Sequence, residues 1–206
     1  MAAICVSRAQ PPATAAMATQ RLREVLHSPE LPPGHHQRVR EFGIDIDAST
    51  VLAADGTAAH GGGGGGTRTA ISVAHIPFTC TSTAANSHGS VHGGNVAWLA
   101  DTATSMHLTA LITSRRHVSI GLNVAYLKPV PVGVRCIVES RVIRVGRSVA
   151  FLEADILLPG PSSGLVTCAS VHHSKMLLSD PPGRTRTPAE RTSDDGNRQQ
   201  QHSSKL

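Results

Sequence analysis

HGGNVAWLADTATSMHLTALIT, residues 92–113, is the stretch whose reading decides the fold. Ala97, Ala100, Ala103, Thr104, His107, Leu108 and Leu111 recur at helical spacing. Val96, Trp98, Leu99, Met106, Ala110 and Ile112 make the segment apolar nearly all round. A helix without a polar side belongs inside a domain. Between Gly93 and Thr113 only Asp101 and His107 are ionisable, and Asp101 is the only carboxylate between Asp55 and Glu139. A carboxylate on such a helix must be paired or serve chemistry. His107, Trp98 and Met106 read as packed core residues.

The chain has 206 residues, enough for one domain with tails. Aromatic residues make up only 2%, so the core must be aliphatic. No unbroken apolar run of membrane-spanning length occurs, which predicts no membrane span. The net charge is +5, but its Arg and Lys residues are scattered and not interleaved with aromatics. That argues against a nucleic-acid platform and suits an anionic small molecule. Cys5, Cys80, Cys136 and Cys168 form no C-x-x-C pair and read as reduced, mostly buried thiols. The His pairs lack a metal-ligand pattern, and no cofactor is expected.

Around the helix the chain reads mostly as strands. Residues 1–43 form an N-terminal extension, with a short amphipathic helix over 16–27 that Pro32-Pro33-Gly34 ends. Strands are expected at 44–53 and 68–80, separated by a Gly-rich insert, 55–67, that lacks the Lys-Ser/Thr of a phosphate loop. Four more follow the helix, at 117–127, 133–145, 148–158 and 164–174. Val118, Ile120, Leu122 and Val124 are expected on one face, as are Val149, Phe151, Ala154 and Ile156. Short connections imply antiparallel neighbours. The fold class is therefore α+β, one antiparallel sheet wrapped round one long central helix, in a domain spanning 44–178. Unpaired sheet edges predict self-association as a homodimer. Residues 179–206 are polar and read as a disordered tail ending in Ser204-Lys205-Leu206, a peroxisomal address for an import receptor. Arg8, Arg21 and Arg23 leave a mitochondrial presequence or a cytosolic location as alternatives.

The string Asn86-Ser-His-Gly89-Ser-Val-His92-Gly93-Gly94, with Leu99-Ala100-Asp101, Val118-Ser119-Ile120 and Asn123 to Pro129, resembles the hotdog-fold acyl-CoA thioesterases of the PaaI type. The pattern is N-x-x-G-x-x-H-G-G, an Asp nine residues after the His and a Ser eighteen after the Asp; the resemblance covers roughly 44–176. It implies an acyl-CoA substrate and an assembly of dimers or tetramers. It also implies roles: Gly93 N–H polarises the thioester carbonyl, Asn86 contacts it, and His92 supports the local hydrogen bonds. Asp101 would come from the opposite subunit as general base or nucleophile, with Ser119 positioning a water. Independently, Gly93 and Gly94 open a helix, so their N–H groups lie unsatisfied at its positive end, and without Cβ atoms a carbonyl can approach. Arg116, Lys128 and Arg147, with Arg115 and Arg144, lie at element ends where they could meet coenzyme A phosphates or simply be solvated. The competing readings are an acyl-CoA-binding protein without turnover and an enoyl-thioester hydratase, which would need a His–acid pair of another arrangement.

Overall fold

The computed structural model describes residues 14–29, 31, 33–53, 70–112, 115–160 and 164–178. The Gly-rich insert, Cys5 and the Ser204-Lys205-Leu206 terminus lie outside the described residues. The elements are α1 (Ala15–His27), α2 (Pro33–Glu41), β1 (Thr50–Ala53), β2 (Ser72–Phe78), α3 (Gly93–Leu111), β3 (His117–Tyr126), β4 (Cys136–Val145), β5 (Val149–Pro159) and β6 (Leu165–Leu177). All six strands join one antiparallel sheet in the order β1-β2-β4-β5-β6-β3. The expected α+β architecture is thus present, with β1 and β3 at its edges.

α3 lies in the curve of this sheet. Leu99, Ala100, Ala103, Leu108 and Ala110 are almost wholly buried. Its alanines keep the helix close to the strands, and its leucines fill the gaps against residues such as Ile76, Val138, Leu152 and Ile156. Each fully buried Leu or Ile contributes about 1.5–3 kcal/mol relative to exposure. α1 covers the remaining side through Ala18, Leu22 and Leu26, and the Thr14 hydroxyl caps it by accepting from Met17 N–H.

The structure corrects the expectation for Pro32-Pro33-Gly34. α1 already ends at His27, and Pro33 instead opens α2. A first helical turn has no use for the N–H that proline lacks. α2 is held by Val39, which is buried, while Phe42 just beyond it stacks on Trp98 at 4.7 Å. Trp98 is accordingly only partly buried, between α2 and α3. The expected strand at 44–53 shortens to Thr50–Ala53, with Ile44 contributing only a bridge to Phe78.

Two facial alternations also change. In β3 the pairing steps from Ser119↔Lys175 to Gly121↔Ser174, leaving Ile120 in a bulge. One extra residue reverses the faces. Val118 therefore lies opposite exposed Met176, whereas Leu122 and Val124 pair with buried His173 and Val171. In β5 the buried set is Ala150, Leu152, Ala154, Ile156 and, past a register shift, Leu157, so Val149 and Phe151 lie on the other face.

The outer face of the sheet is polar and ordered. His75, Glu139, Asp155 and Ser170 form one cross-strand row, and Arg141, Glu153 and His172 the next. Arg141 joins them, 2.7 Å from both Glu139 and Asp155. The hydrogen bond from His75, then that from Arg141, holds the Glu139 carboxyl down at about 2. The thiols of Cys80 and Cys136 are buried and pushed up, to about 12 and about 11, first by desolvation, so neither is a nucleophile at neutral pH.

Three imidazoles lie on the helix side of the sheet. His107 is wholly buried between the hydroxyls of Ser72 and Ser140, each 3.0 Å away, and desolvation lowers its pKa to about 3. His117 and His173 are lowered to about 4, again first by desolvation. The unfolded chain takes up these protons near 6.5, the folded chain only lower, so the unfolded state binds more protons between the two values. Stability is expected to be full above pH 6.5 and to decline as pH falls towards about 4. A melting temperature that stays flat between pH 7.5 and 4.5 would contradict this. Gly43 makes a second test. It adopts φ 53°, and a Cβ there would meet Thr79 O at 2.3 Å. Gly43→Ala should therefore lower stability by more than about 1 kcal/mol in urea denaturation.

Candidate active site

The start of α3 is shaped by the loop before it. Asn86 Oδ1 accepts from His88 N–H at 2.9 Å and Ser90 N–H at 3.2 Å, while Nδ2 donates to Ser90 Oγ at 3.0 Å. Gly89, at φ 77°, completes the turn. The N-x-x-G spacing is therefore a local turn in which the Asn side chain stands in for backbone. His92 N–H then donates to Ala84 O, and the His92 ring caps the helix, Nδ1 accepting from Gly94 N–H at 3.0 Å.

Gly94 N–H is thus used within the cap, while the Asn86 side chain is held in its turn with one Nδ2 proton left without an acceptor among the described residues. The Gly93 N–H has no acceptor among the described residues. Tyr126, at the end of β3, donates its hydroxyl to Gly93 O at 2.9 Å. Its ring lies 3.5 Å from where a Gly93 Cβ would stand. The result is a partly exposed backbone donor at the positive end of a helix, beside an aromatic ring.

Asp101 lies eight residues further along α3, about 12 Å at the helical rise. Its side chain is 40% exposed, so it is not sealed in packing. Oδ1 accepts from Ser119 Oγ at 2.8 Å and lies 3.2 Å from His173 Nε2 and 3.6 Å from Lys175 Nζ. Oδ2 has no partner among the described residues. Ser119 Oγ also meets Lys175 Nζ at 2.9 Å and His173 Nε2 at 3.1 Å. The hydroxyls of Thr104 and Ser105 donate to the Asp101 carbonyl oxygen, not to its carboxylate.

The five residues singled out in sequence therefore fall into two groups within one chain. Asn86, His92 and Gly93 are at the N-terminal end of α3; Asp101 and Ser119 are midway along it. The cations do not form one group. Arg116 precedes β3 and Lys128 follows it, separated by a strand of ten residues, about 30 Å. Arg147 lies in the β4–β5 turn at the Arg116 end, where its carbonyl accepts from Arg115 at 2.6 Å.

His173, Lys175, His117 and Tyr126 were missed in the sequence. The expected strand at 164–174 stopped one residue short of Lys175, whereas β6 continues to Leu177. Within β6, Ala169, Val171, His173, Lys175 and Leu177 are all buried. Two polar residues continuing the core face of a strand were the available signal. Among the described residues no group of three or more His, Cys, Asp or Glu side chains is placed to hold a metal ion, and no helix is long and apolar enough to cross a membrane.

Residues 88–162 match the family model described as "Thioesterase superfamily". Human acyl-coenzyme A thioesterase 13 is 30% identical over 71 residues, which is 34% of this chain and 51% of that protein. The chain spans about half the length of the curated relatives it matches. Mouse thioesterase superfamily member 2 superposes with a TM-score of 0.54 at 21% identity, over 78% of this chain and 97% of that one. The PaaI protein of the E. coli phenylacetic acid degradation operon superposes at 0.56 and 16% identity, over 81% and 97%. Over residues 88–162 the chain carries the sequence pattern of the thioesterase superfamily, and its described residues build the hotdog fold of these solved structures.

Proposed function

We propose that the protein hydrolyses acyl-CoA thioesters to a free acid and coenzyme A. The observation that carries this is a pair of groups without partners among the described residues: Gly93 N–H, able to donate, and Asp101 Oδ2, able to accept. An unpaired backbone donor aimed at a developing oxyanion is the usual device for acyl transfer, and losing one costs about 3–4 kcal/mol of transition-state stabilisation. A carboxylate fixed by one oxygen can take a proton from water with the other.

The two groups are about 12 Å apart in one chain, too far to meet at one carbonyl. The free edge of β3 supplies a way round. A second copy pairing antiparallel along this edge would bring the Ser119 end of one copy's β3 towards the Tyr126 end of the other's. Ser119 lies against Asp101 and Tyr126 against Gly93. The same pairing covers an edge whose Val118, Ile120, Leu122 and Tyr126 are exposed. Each dimer would then hold two sites, with the amide from one protomer and the acid from its partner.

In such a site the water gives a proton to Asp101 Oδ2 and its oxygen bonds to the thioester carbon, whose oxygen takes the charge at Gly93 N–H. Collapse breaks the carbon–sulfur bond, and the departing sulfur takes the proton from Asp101. Asp101 attacking directly, through an anhydride that water then opens, uses the same groups. Arg116 and Arg147 are the cations placed together at one end of the sheet, suited to coenzyme A phosphates.

A panel of acyl-CoAs with thiol detection tests the reading. Turnover is expected, and Asp101→Ala should lower kcat by about 100-fold or more. Tight acyl-CoA binding with no thiol release would point to a binding protein and end the hydrolase reading. Leu122→Asp places a charge on the proposed seam. It should yield monomers in sedimentation and remove activity together; an active monomer would refute the shared site.

A further inference from the structure

Lys175 is a buried lysine, 3% exposed, with no solvated role. It touches the Asp101–Ser119 pair from β6, the strand beside the β3 edge. The Thr104 hydroxyl has one proton and directs it to the backbone, Ala100 O at 2.7 Å and Asp101 O at 3.1 Å. Thr104 Oγ1 also lies 2.7 Å from His173 Nδ1. His173 is neutral at ordinary pH, its pKa lowered to about 4 by burial and then by Lys175.

Two acceptors converge on Lys175 Nζ: Ser119 Oγ at 2.9 Å and Asp101 Oδ1 at 3.6 Å. An ammonium can only donate. Lys175 Nζ donates to Ser119 Oγ at 2.9 Å, so the single Ser119 proton must point away from it, to Asp101 Oδ1 at 2.8 Å. One lone pair of Ser119 remains, able to accept from a water. Resting on the hydrolase reading above, we propose that Lys175 is a positioning residue that fixes the Ser119 hydroxyl as donor to Asp101 and acceptor from the attacking water. Ser119 would otherwise rotate and donate to that water, tying up the lone pair needed for attack. Lys175 is also the cation beside Asp101, 3.6 Å from its Oδ1. Burial lowers the Lys175 pKa, and the Asp101 carboxylate opposes this. The other titratable groups facing the cluster are His173 on β6 and His117 at the start of β3, both lowered by Lys175 after desolvation.

The test uses the full chain, wild type and Lys175→Met, with kinetics on the acyl-CoA panel and histidine titration followed by NMR. Lys175→Met should lower kcat about 10–100-fold, the range of one charge-assisted hydrogen bond, with KM little changed. The acidic limb of the pH–rate profile should move to higher pH, because a cation no longer favours the carboxylate. His173 should titrate closer to 6.5. The effect of Lys175→Met should largely vanish in a Ser119→Ala background, since the lysine acts through that hydroxyl. If Lys175→Met does not fold, Lys175→Gln, neutral but still a donor, should keep part of kcat yet show the same displaced acidic limb. Unchanged kcat and pH limb in an active, folded variant would overturn the proposal while leaving the hydrolase reading intact. An inactive wild type would overturn both.

Discussion

Everything in this molecule depends on α3 lying against the curved face of the sheet. The helix is apolar nearly all round, so water is excluded from most of its surface only when strands wrap it. Its alanines permit close approach, and the leucines and Met106 fix its rotation. That rotation decides which residues face strands. His107 points between Ser72 and Ser140, Thr104 towards His173, and Asp101 towards Ser119. One packing solution thus sets three polar contacts that no local rule could place.

The polar groups buried with the helix are satisfied by unlike means. His107 stays neutral and meets two hydroxyls, which costs little because no charge is buried. Asp101 lies where the sheet edge leaves it partly in water and beside Lys175. A buried lysine is unfavourable alone; a carboxylate and a hydroxyl within hydrogen-bonding reach offset its desolvation. The cluster is therefore charged, paired and reachable at once. Those are the properties expected of groups that handle protons rather than groups that merely fill a core.

The free β3 edge ties fold to function. An edge strand with exposed apolar residues invites pairing, and this edge carries Ser119 near one end and Tyr126 at the other. The half-sites lie at the two ends of the strand that would be shared. In the proposed dimer, self-association would answer two needs together, covering the edge and completing the chemistry.

The sequence by itself determined the central helix, the antiparallel strands that wrap it, and the spacing of Asn86, Gly93, Asp101 and Ser119. These follow from periodicity and local turn chemistry, which depend on neighbours within a few residues. It also placed His107 in the core, because an imidazole on an apolar helix has nowhere else to go. Only the tertiary structure decided the faces of β3 and β5, since a single bulge at Ile120 reverses alternation and leaves no mark in composition. It alone paired β3 with β6 rather than with β4, its neighbour in sequence, turned Pro33 from a stop into a helix start, separated Lys128 from Arg116 and Arg147, and brought His173 and Lys175 to Asp101. Those contacts join residues about 70 positions apart, and a contact of that range is set by the packing of whole elements, which linear order does not encode.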